Sequence, residues 1–345
     1  MSRIGIIARA DKTGLGYQTK ELVEMLNPDK VMLIDSSHFN GNKQFPEWYA
    51  GYNVKKSQAG FLSNMEVNDF LNGIDVVISC EIFYSKRLSN LAHRRGIKTI
   101  LQYNYEFFEY FVVSGMREPS ILLGPTTWNL DTMQKHFSYK SNVVHLPPPT
   151  TPEIFSSAKE ANMAKTHKRI LHVAGKRAAK DRNGTDIVIE MLKYSKADYE
   201  LVVTVQGDFK PDCSDPRLTI DNSNPDDRAD LYTGFDFMIL PRRYGGLCLP
   251  MNEALLSGLP VIMTDASPNN DILPSEWLVE APKVGEVQFK GLVDLYKADP
   301  QKLAELVDKF VNEYDIAEEK QKAFSLGYNT FSPDVLKDKY LSLIG

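Results

Sequence analysis

The sequence predicts an α/β protein of two parallel-sheet domains, and three observations carry that prediction. The chain opens on a strand, glycine loop, helix and strand: "RIGIIAR" (3–9), "ADKTGLG" (10–16), "YQTKELVEML" (17–26) and "KVMLID" (30–35). A second such unit stands in the other half, as "FDFMIL" (235–240), "PRRYGGLCL" (241–249), "PMNEALLSG" (250–258) and "PVIMTD" (260–265). Between them a proline cluster, "HLPPPTTPEIF" (145–155), separates two stretches of similar pattern. Apolar runs alternating with helical periods suit a parallel sheet covered on both faces. A chain of 345 residues also exceeds the usual size of one core.

The elements follow in order. After the first unit, residues 36–70 break the pattern: they are polar, rich in Gly and Asn, and hold Phe39, Trp48, Tyr49 and Tyr52. An irregular segment this long in a compact domain is usually functional or disordered, and the aromatic residues favour function over pure disorder. Strands resume at "DVVISC" (75–80), "KTILQY" (98–103) and "ILLGP" (121–125), with a helix at "KRLSNLAHRRG" (86–96). Beyond the prolines come the strand "KRILHVAG" (168–175), the basic loop "KRAAKDRNG" (176–184), a helix over 185–195, strands over 199–205 and 217–220, and a helix over 226–234. In the 235–265 unit Pro250 suits the first helical turn and Gly258 the position just past the end. Helices are predicted over 286–299, 300–327 and 332–344. The expected division is 1–150, 151–330 and a terminal helix, 331–345.

Composition narrows the classes. With 43% hydrophobic and 25% charged residues the chain is an ordinary globular protein, and a net charge of −5 argues against a general nucleic-acid coat. Residues 1–150 carry 16 Lys+Arg against 14 Asp+Glu, so this half tolerates an anionic partner better than the rest, at −7. Cys80, Cys213 and Cys248 are too widely spaced for a disulfide framework or zinc site, and read as buried apolar residues in a reducing compartment. The start, "MSRIGIIARADKTG", is too soon interrupted by charge for a secretory signal, and no apolar run reaches the ~18–20 residues of a membrane span. A cytoplasmic protein without integral membrane association is expected. The six histidines show no metal spacing and no Asp-x-Asp stands at a strand end, so metal independence is expected; His172, inside a strand, reads as a packed residue.

The loop from Tyr244 to Leu249 brings backbone N–H groups to a helix N-terminus, a site for an anion such as a phosphate, and Glu253 lies close enough to accept hydrogen bonds from hydroxyls beside it. An ordinary turn with a capping carboxylate is the other reading.

Four stretches carry a family resemblance: "RYGGLCLPMNEALLSGLPVIMTD", "LYTGFDFMILPRRYGG", "NVVHLPPPTTPEIF" and "HVAGKRAAKDRNGTDIVIEML". With them the chain resembles the retaining glycosyltransferases of the GT-B fold, the group related to sucrose, glycogen and mannosyl transferases. The resemblance implies two Rossmann-like domains facing a central cleft and a C-terminal helix crossing back to the first. It implies a nucleotide-diphosphate sugar as donor, a UDP-sugar in first place, and no prosthetic cofactor. By matching position Glu253 would hold the ribose, with Tyr244, Gly245, Gly246 and Leu247 around the donor. Lys176, Lys180 and Arg182 would meet the diphosphate, Lys176 and Arg182 stabilising charge on the leaving group. Gly14, Leu15 and Gly16 would approach the diphosphate from the first domain.

The chain also departs from the family pattern. Gly245 stands eight residues before Glu253, where the family has its first glutamate. In "LQYNYEFFEYF" (101–111) Tyr103, Asn104 and Glu106 replace a His–Asp pair on the acceptor side. Glu106, or Glu81 at the end of a strand, would orient or deprotonate an acceptor hydroxyl, or act as a structural cap. Trp48, Tyr52 and the Lys55–Lys56 pair suit a flat or anionic acceptor. Candidate acceptors are a glycan, a lipid-linked or small-molecule sugar, or a hydroxymethylated base in DNA as in phage DNA glycosyltransferases, which requires an extruded base. The alternatives are a GT-B-fold sugar-nucleotide epimerase and a non-catalytic nucleotide-sugar-binding protein. The sequence does not fix the oligomeric state.

Overall fold

The computed structural model describes residues 2–38, 41–109, 117–137, 142–176, 181–288 and 291–345. Two compact units divide the chain: Met1–Thr150 with Phe331–Gly345, and Thr151–Gln288 with Leu292–Thr330.

In the first unit the strands β1 (Ile4–Arg9), β2 (Lys30–Ile34), β3 (Val54–Lys56), β4 (Val76–Cys80), β5 (Lys98–Gln102), β6 (Ile121–Gly124) and β7 (Asn142–His145) form one sheet in the order β3-β2-β1-β4-β5-β6-β7. All its pairings are parallel. Alternate residues of β1 feed opposite cores: Ile4, Ile6 and Ala8 join one apolar cluster and Ile7 the other. Burial on both faces explains the continuous apolar runs of these strands. Helix α1 (Gly14–Leu26) follows β1, α2 (Asn64–Leu71) precedes β4, α3 (Leu88–Arg94) precedes β5, and α4 (Leu130–His136) precedes β7.

The second unit repeats the scheme. Its sheet runs β10-β9-β8-β11-β12-β13, from β8 (Arg169–Gly175), β9 (Glu200–Val205), β10 (Leu218–Asp221), β11 (Phe237–Leu240), β12 (Val261–Asp265) and β13 (Leu278–Glu280). Helices α5 (Ser156–Ala164), α6 (Thr185–Met191), α7 (Leu249–Leu256), α8 (Pro300–Glu313) and, up to Thr330, α9 (Ile316–Phe331) belong to this unit, while α10 (Pro333–Ile344) belongs to the first. Strand order reverses between β1 and β4 in one sheet and between β8 and β11 in the other. Open α/β sheets hold ligands outside the carboxyl ends of the strands at such a switch point.

Three helix predictions need correction. The described residues of 286–299 form no helix: β14 (Lys283–Gln288) and β15 (Leu292–Tyr296) pair as an antiparallel ribbon. Val287 faces Val293 and both are buried, so the period of two outweighs the helical one. Within 226–234 only Ala229–Tyr232 is helical, as a short 3-10 segment. The span 300–327 is two helices, because Tyr314 is extended and the Asp315 carboxylate accepts from the N–H groups of Ala317 and Glu318 to start α9. Residues 36–70 hold more order than expected: a 3-10 turn at Pro46–Tyr49, β3, and α2 behind a Ser63/Glu66 capping box. Cys80 and Cys248 are buried, whereas Cys213 is half-exposed. Phe39 and Lys180 lie outside the described residues.

Candidate functional site

In the second unit the site begins where β8 ends. Lys176 follows Gly175 and is exposed. Asp181, with φ of 45°, turns its carboxylate onto the N–H groups of Thr185 (2.9 Å) and Asp186 (2.8 Å) and so starts α6. Gly184 lies against the end of β11: a Cβ there would fall 2.5 Å from the Pro241 carbonyl oxygen. The Arg243 N–H donates to the Arg182 carbonyl at 2.8 Å, which binds the loop after β8 to the loop after β11. His172 is buried, one ring nitrogen against the Ile239 carbonyl (2.8 Å) and the other against Thr185 Oγ1 (3.0 Å), as befits a packed residue.

The loop from Arg242 to Cys248 is lined with donors. Arg182 Nε donates to the Tyr244 carbonyl at 3.3 Å, and its guanidinium lies over the Tyr244 ring. Arg242 is buried and donates from Nε to Tyr244 O (3.1 Å) and from Nη1 to Leu247 O (2.8 Å). Gly245 has φ of 108°, open to glycine alone at low cost. A Cβ on it would meet Arg182 Nη2 at 2.1 Å and Arg242 Nη2 at 2.7 Å. Gly246 and Cys248 are buried, and the N–H groups of Gly246, Leu247 and Cys248 donate to no atom of the described residues. Helix α7 then begins with Pro250 in its first turn and no side-chain cap. Unpaired N–H groups, a helix N-terminus and two guanidinium groups together favour an anion.

Glu253 lies one turn into α7 and is buried. Arg228 Nη2 donates to its Oε1, and the Tyr232 hydroxyl donates to Oε2 at 2.6 Å. Burial, with the Glu253 charge beside it, pushes the Tyr232 phenol well above its usual range, so it stays a donor. A carboxylate offers about four acceptor sites, so Glu253 retains capacity for a ligand hydroxyl. Sequence reasoning missed Arg228 and Tyr232: no spacing rule links a 3-10 turn to a helix about 20 residues later.

In the first unit Gly14, Leu15 and Gly16 are the first turn of α1 rather than a loop. Thr13 caps them, its Oγ1 accepting from the Gly16 N–H at 3.2 Å. A Cβ on Gly16 would stand 1.9 Å from the Asp11 carbonyl oxygen, so that position admits glycine only. Asp11 organises this end of β1: its carboxylate accepts from Arg9 Nε (2.9 Å) and Nη2 (2.7 Å) and from the hydroxyls of Ser36 and Thr13. The segment around Trp48 folds onto the same strand end, with Phe45 N–H on Ala10 O (2.7 Å) and Tyr49 hydroxyl on Arg9 O (2.8 Å).

The candidate acceptor residues separate. Trp48 is stacked between Tyr17 and Phe45, at 5.3 Å from each, with Lys12 and Lys43 over the Phe45 ring. Tyr52 lies edge-on to Tyr49 and packs on the core. Lys55 reaches Asp69. Tyr103 is buried and donates its hydroxyl to the Phe107 carbonyl. Glu106 is buried in a 3-10 turn after β5, while the buried Oδ1 of Asn104 has no hydrogen-bond partner among the described residues. Glu81 follows β4 with φ of 63°, its N–H on the Gln102 carbonyl at 2.8 Å. A non-glycine residue in that region is strained, which is common at functional sites.

These two units, each a parallel sheet whose strand order reverses at a switch point, have the GT-B class of fold, that of the glycosyltransferases resembled in sequence. No protein-family model and no curated protein matches the sequence. Among solved structures, HepE of Anabaena in complex with UDP and glucose is similar over 100% of this chain and 99% of its own, with a TM-score of 0.69 at 11% identity. Sucrose-phosphate synthase from Thermosynechococcus elongatus is similar over 99% of this chain and 98% of its own, with a TM-score of 0.67 at 12% identity. TarM of S. aureus is similar over 83% of this chain and 59% of its own, with a TM-score of 0.59 at 13% identity. Among the described residues no helix is long and apolar enough to cross a membrane.

Proposed function

We propose that the chain transfers a sugar from a nucleotide-diphosphate sugar to an acceptor hydroxyl, with retention of the anomeric configuration and without a metal ion. The observation that carries this reading is the loop over Gly245, where three unpaired N–H groups lead into α7 beside Arg182 and Arg242. UDP is the first choice of nucleotide, since the similar HepE structures are complexes with UDP and with UDP-glucose.

In this reading the loop and Arg182 bind the diphosphate, and Glu253 accepts from the ribose hydroxyls. The bond from the anomeric carbon to the phosphate oxygen breaks, and a bond to the acceptor oxygen forms on the same face. The acceptor proton passes to the departing phosphate oxygen, leaving the nucleoside diphosphate. Fixed donors at that oxygen lower the barrier because its charge grows in the transition state. Glu81 and Asn104, after β4 and β5, serve to orient the acceptor, a glycan or a hydroxymethylated DNA base.

The test is a thermal-shift panel of UDP, GDP, ADP and TDP with their sugars, followed by assays of the hit with EDTA present. A ligand at ~100 times its Kd adds about 2.7 kcal/mol of stability. A UDP-series hit with slow, configuration-retaining donor hydrolysis is the expected result. Binding with no turnover marks a non-catalytic binding protein, and isomerised donor without acceptor marks an epimerase. A flat panel sinks the donor site itself.

A further inference from the structure

Away from the candidate site, the first unit carries a helix edge rich in cations and free of acids. Between Glu81 and Glu106 the chain holds five Lys and Arg residues and no Asp or Glu. Lys98 of this group is engaged by the last carbonyls of α10. The other four flank α3 and are exposed: Lys86 and Arg87 at its start, Arg94 and Arg95 at its end. Arg87 and Arg94 lie about two turns apart along one side of the helix. Among the described residues none of the four pairs with a carboxylate. The Arg95 guanidinium donates only to Asn68, to its carbonyl at 3.3 Å and to Oδ1 at 2.6 Å.

Apolar side chains stand exposed along the same edge. Helix α2 turns Val67, Phe70 and Leu71 inward, α3 turns Leu88 and Ala92 inward, and all five join one core cluster. The two helices are tied near both ends. Ahead of them the Leu62 N–H donates to the Tyr84 carbonyl at 2.8 Å, which brings Phe61 to the Lys86 end of α3. At the other end Met65, Asn68 and Arg95 line one groove. Phe61 and Met65 are 58% and 76% exposed, more than any other large apolar side chain among the described residues. The acids of that groove are already matched, Asp69 by Lys55 at 3.2 Å and Asp75 by Arg3 at 3.1 Å. On the other flank of α3, Glu118 lines a pocket with His93.

Cations without acids beside them attract a polyanion. A nucleic-acid backbone would answer the cations but leave Met65 in water. A bilayer surface answers both, with phosphate headgroups for the guanidinium groups and the acyl boundary for Phe61 and Met65. We propose that the α2–α3 edge of the first unit is a docking surface for an anionic lipid membrane. The contact is peripheral and needs no crossing helix. It does not depend on the nucleotide-sugar reading, so its failure leaves the donor site untouched.

The experiment is cosedimentation of the whole chain with vesicles of phosphatidylcholine, alone or mixed with phosphatidylglycerol. The wild type is expected to bind the mixed vesicles, to leave them as salt rises, and to bind phosphatidylcholine alone about tenfold more weakly. Each cation at an anionic surface is worth about fivefold in partition, so Arg87→Gln with Arg94→Gln lowers binding roughly 25-fold. Phe61→Ser with Met65→Ser lowers it about tenfold. These side chains are exposed, and an unchanged melting temperature shows that the loss is not one of folding. Arg94→Gln and Met65→Ser alone replace a pair that fails to fold. Wild type that ignores the mixed vesicles, or variants that bind them as the wild type does, overturns the proposal. Loss with the arginine pair but not with the apolar pair also overturns it, and assigns the patch to nucleic acid if the same pair weakens binding of a DNA duplex.

Discussion

Asp11 is a fully buried carboxylate, and its neighbours decide its charge. Burial alone would raise its pKa, but hydrogen bonds from Ser36, Thr13 and Arg9, with the Arg9 charge, outweigh it and hold the group below its ordinary 3.8. A carboxyl lowered in the folded state stabilises the fold above about pH 4, and that contribution is lost as pH falls through the folded value. Asp11→Asn is therefore expected to cost about 3 kcal/mol at pH 7, since it removes the carboxylate that accepts from the largely buried Arg9 and from the hydroxyls of Ser36 and Thr13. The gap from wild type should narrow at pH 3. Chemical denaturation at both pH values checks this, and an equal gap would rule out titration of Asp11 as the cause. The sequence held a local sign of this role. Asp11 stands two residues before Thr13, the spacing of an Asx turn, and the Thr13 N–H does donate to its Oδ1 at 3.2 Å. Arg242 gave no such sign: a basic residue after a strand reads equally as solvated surface, and only packing shows it buried.

At the scale of elements, the strand–loop–helix units at 3–35 and 235–265 were legible because both the apolar runs and their glycines have local causes. The ribbon of β14 and β15 was not, because its charged residues fit a helical face as well as a strand. What decided it was Val287 opposite Val293, with Gly285 taking φ of 153° at the bulge. The Arg243 backbone and side chain anchor its base, with Tyr296 N–H on Arg243 O at 2.9 Å and Arg243 Nε on Tyr296 O at 3.2 Å. Lys283 pairs with Glu286 and Asp294, but these groups are nearly half-exposed, and water screens such pairs. Packing should thus outweigh charge. Val293→Ala is expected to cost about 2 kcal/mol in the opening energy of the ribbon amides, read by native-state hydrogen exchange. Lys283→Ala should leave those amides unchanged. The reverse ranking would show that the ion pairs hold the ribbon.

The whole molecule is two units, yet the first is completed by the end of the chain. Tyr340 of α10 is buried in the core of that unit, with its hydroxyl on the Pro147 carbonyl at 3.0 Å and Gln102 Nε2 on the hydroxyl at 3.4 Å. Lys98, at the start of β5, caps α10 by donating to the carbonyls of Leu343 (3.1 Å) and Ile344 (3.2 Å). The amphipathic period of 332–344 announced a helix, but its seat depends on contacts nearly 200 residues away in sequence, which no local pattern encodes. Because Tyr340 fills the core of one unit only, its loss should be felt there. Tyr340→Ala is expected to cost about 4 kcal/mol, and Tyr340→Phe, which keeps the ring, about 1 kcal/mol. For a unit of this size the larger loss lowers the melting temperature by roughly 10 °C. Scanning calorimetry with and without UDP separates the units under the proposed function, in which UDP held by the loop over Gly245 would raise the transition of the second. The alanine variant should lower the ligand-insensitive transition and leave the ligand-sensitive one in place. An equal fall in both would mean that the terminal helix supports the two units together.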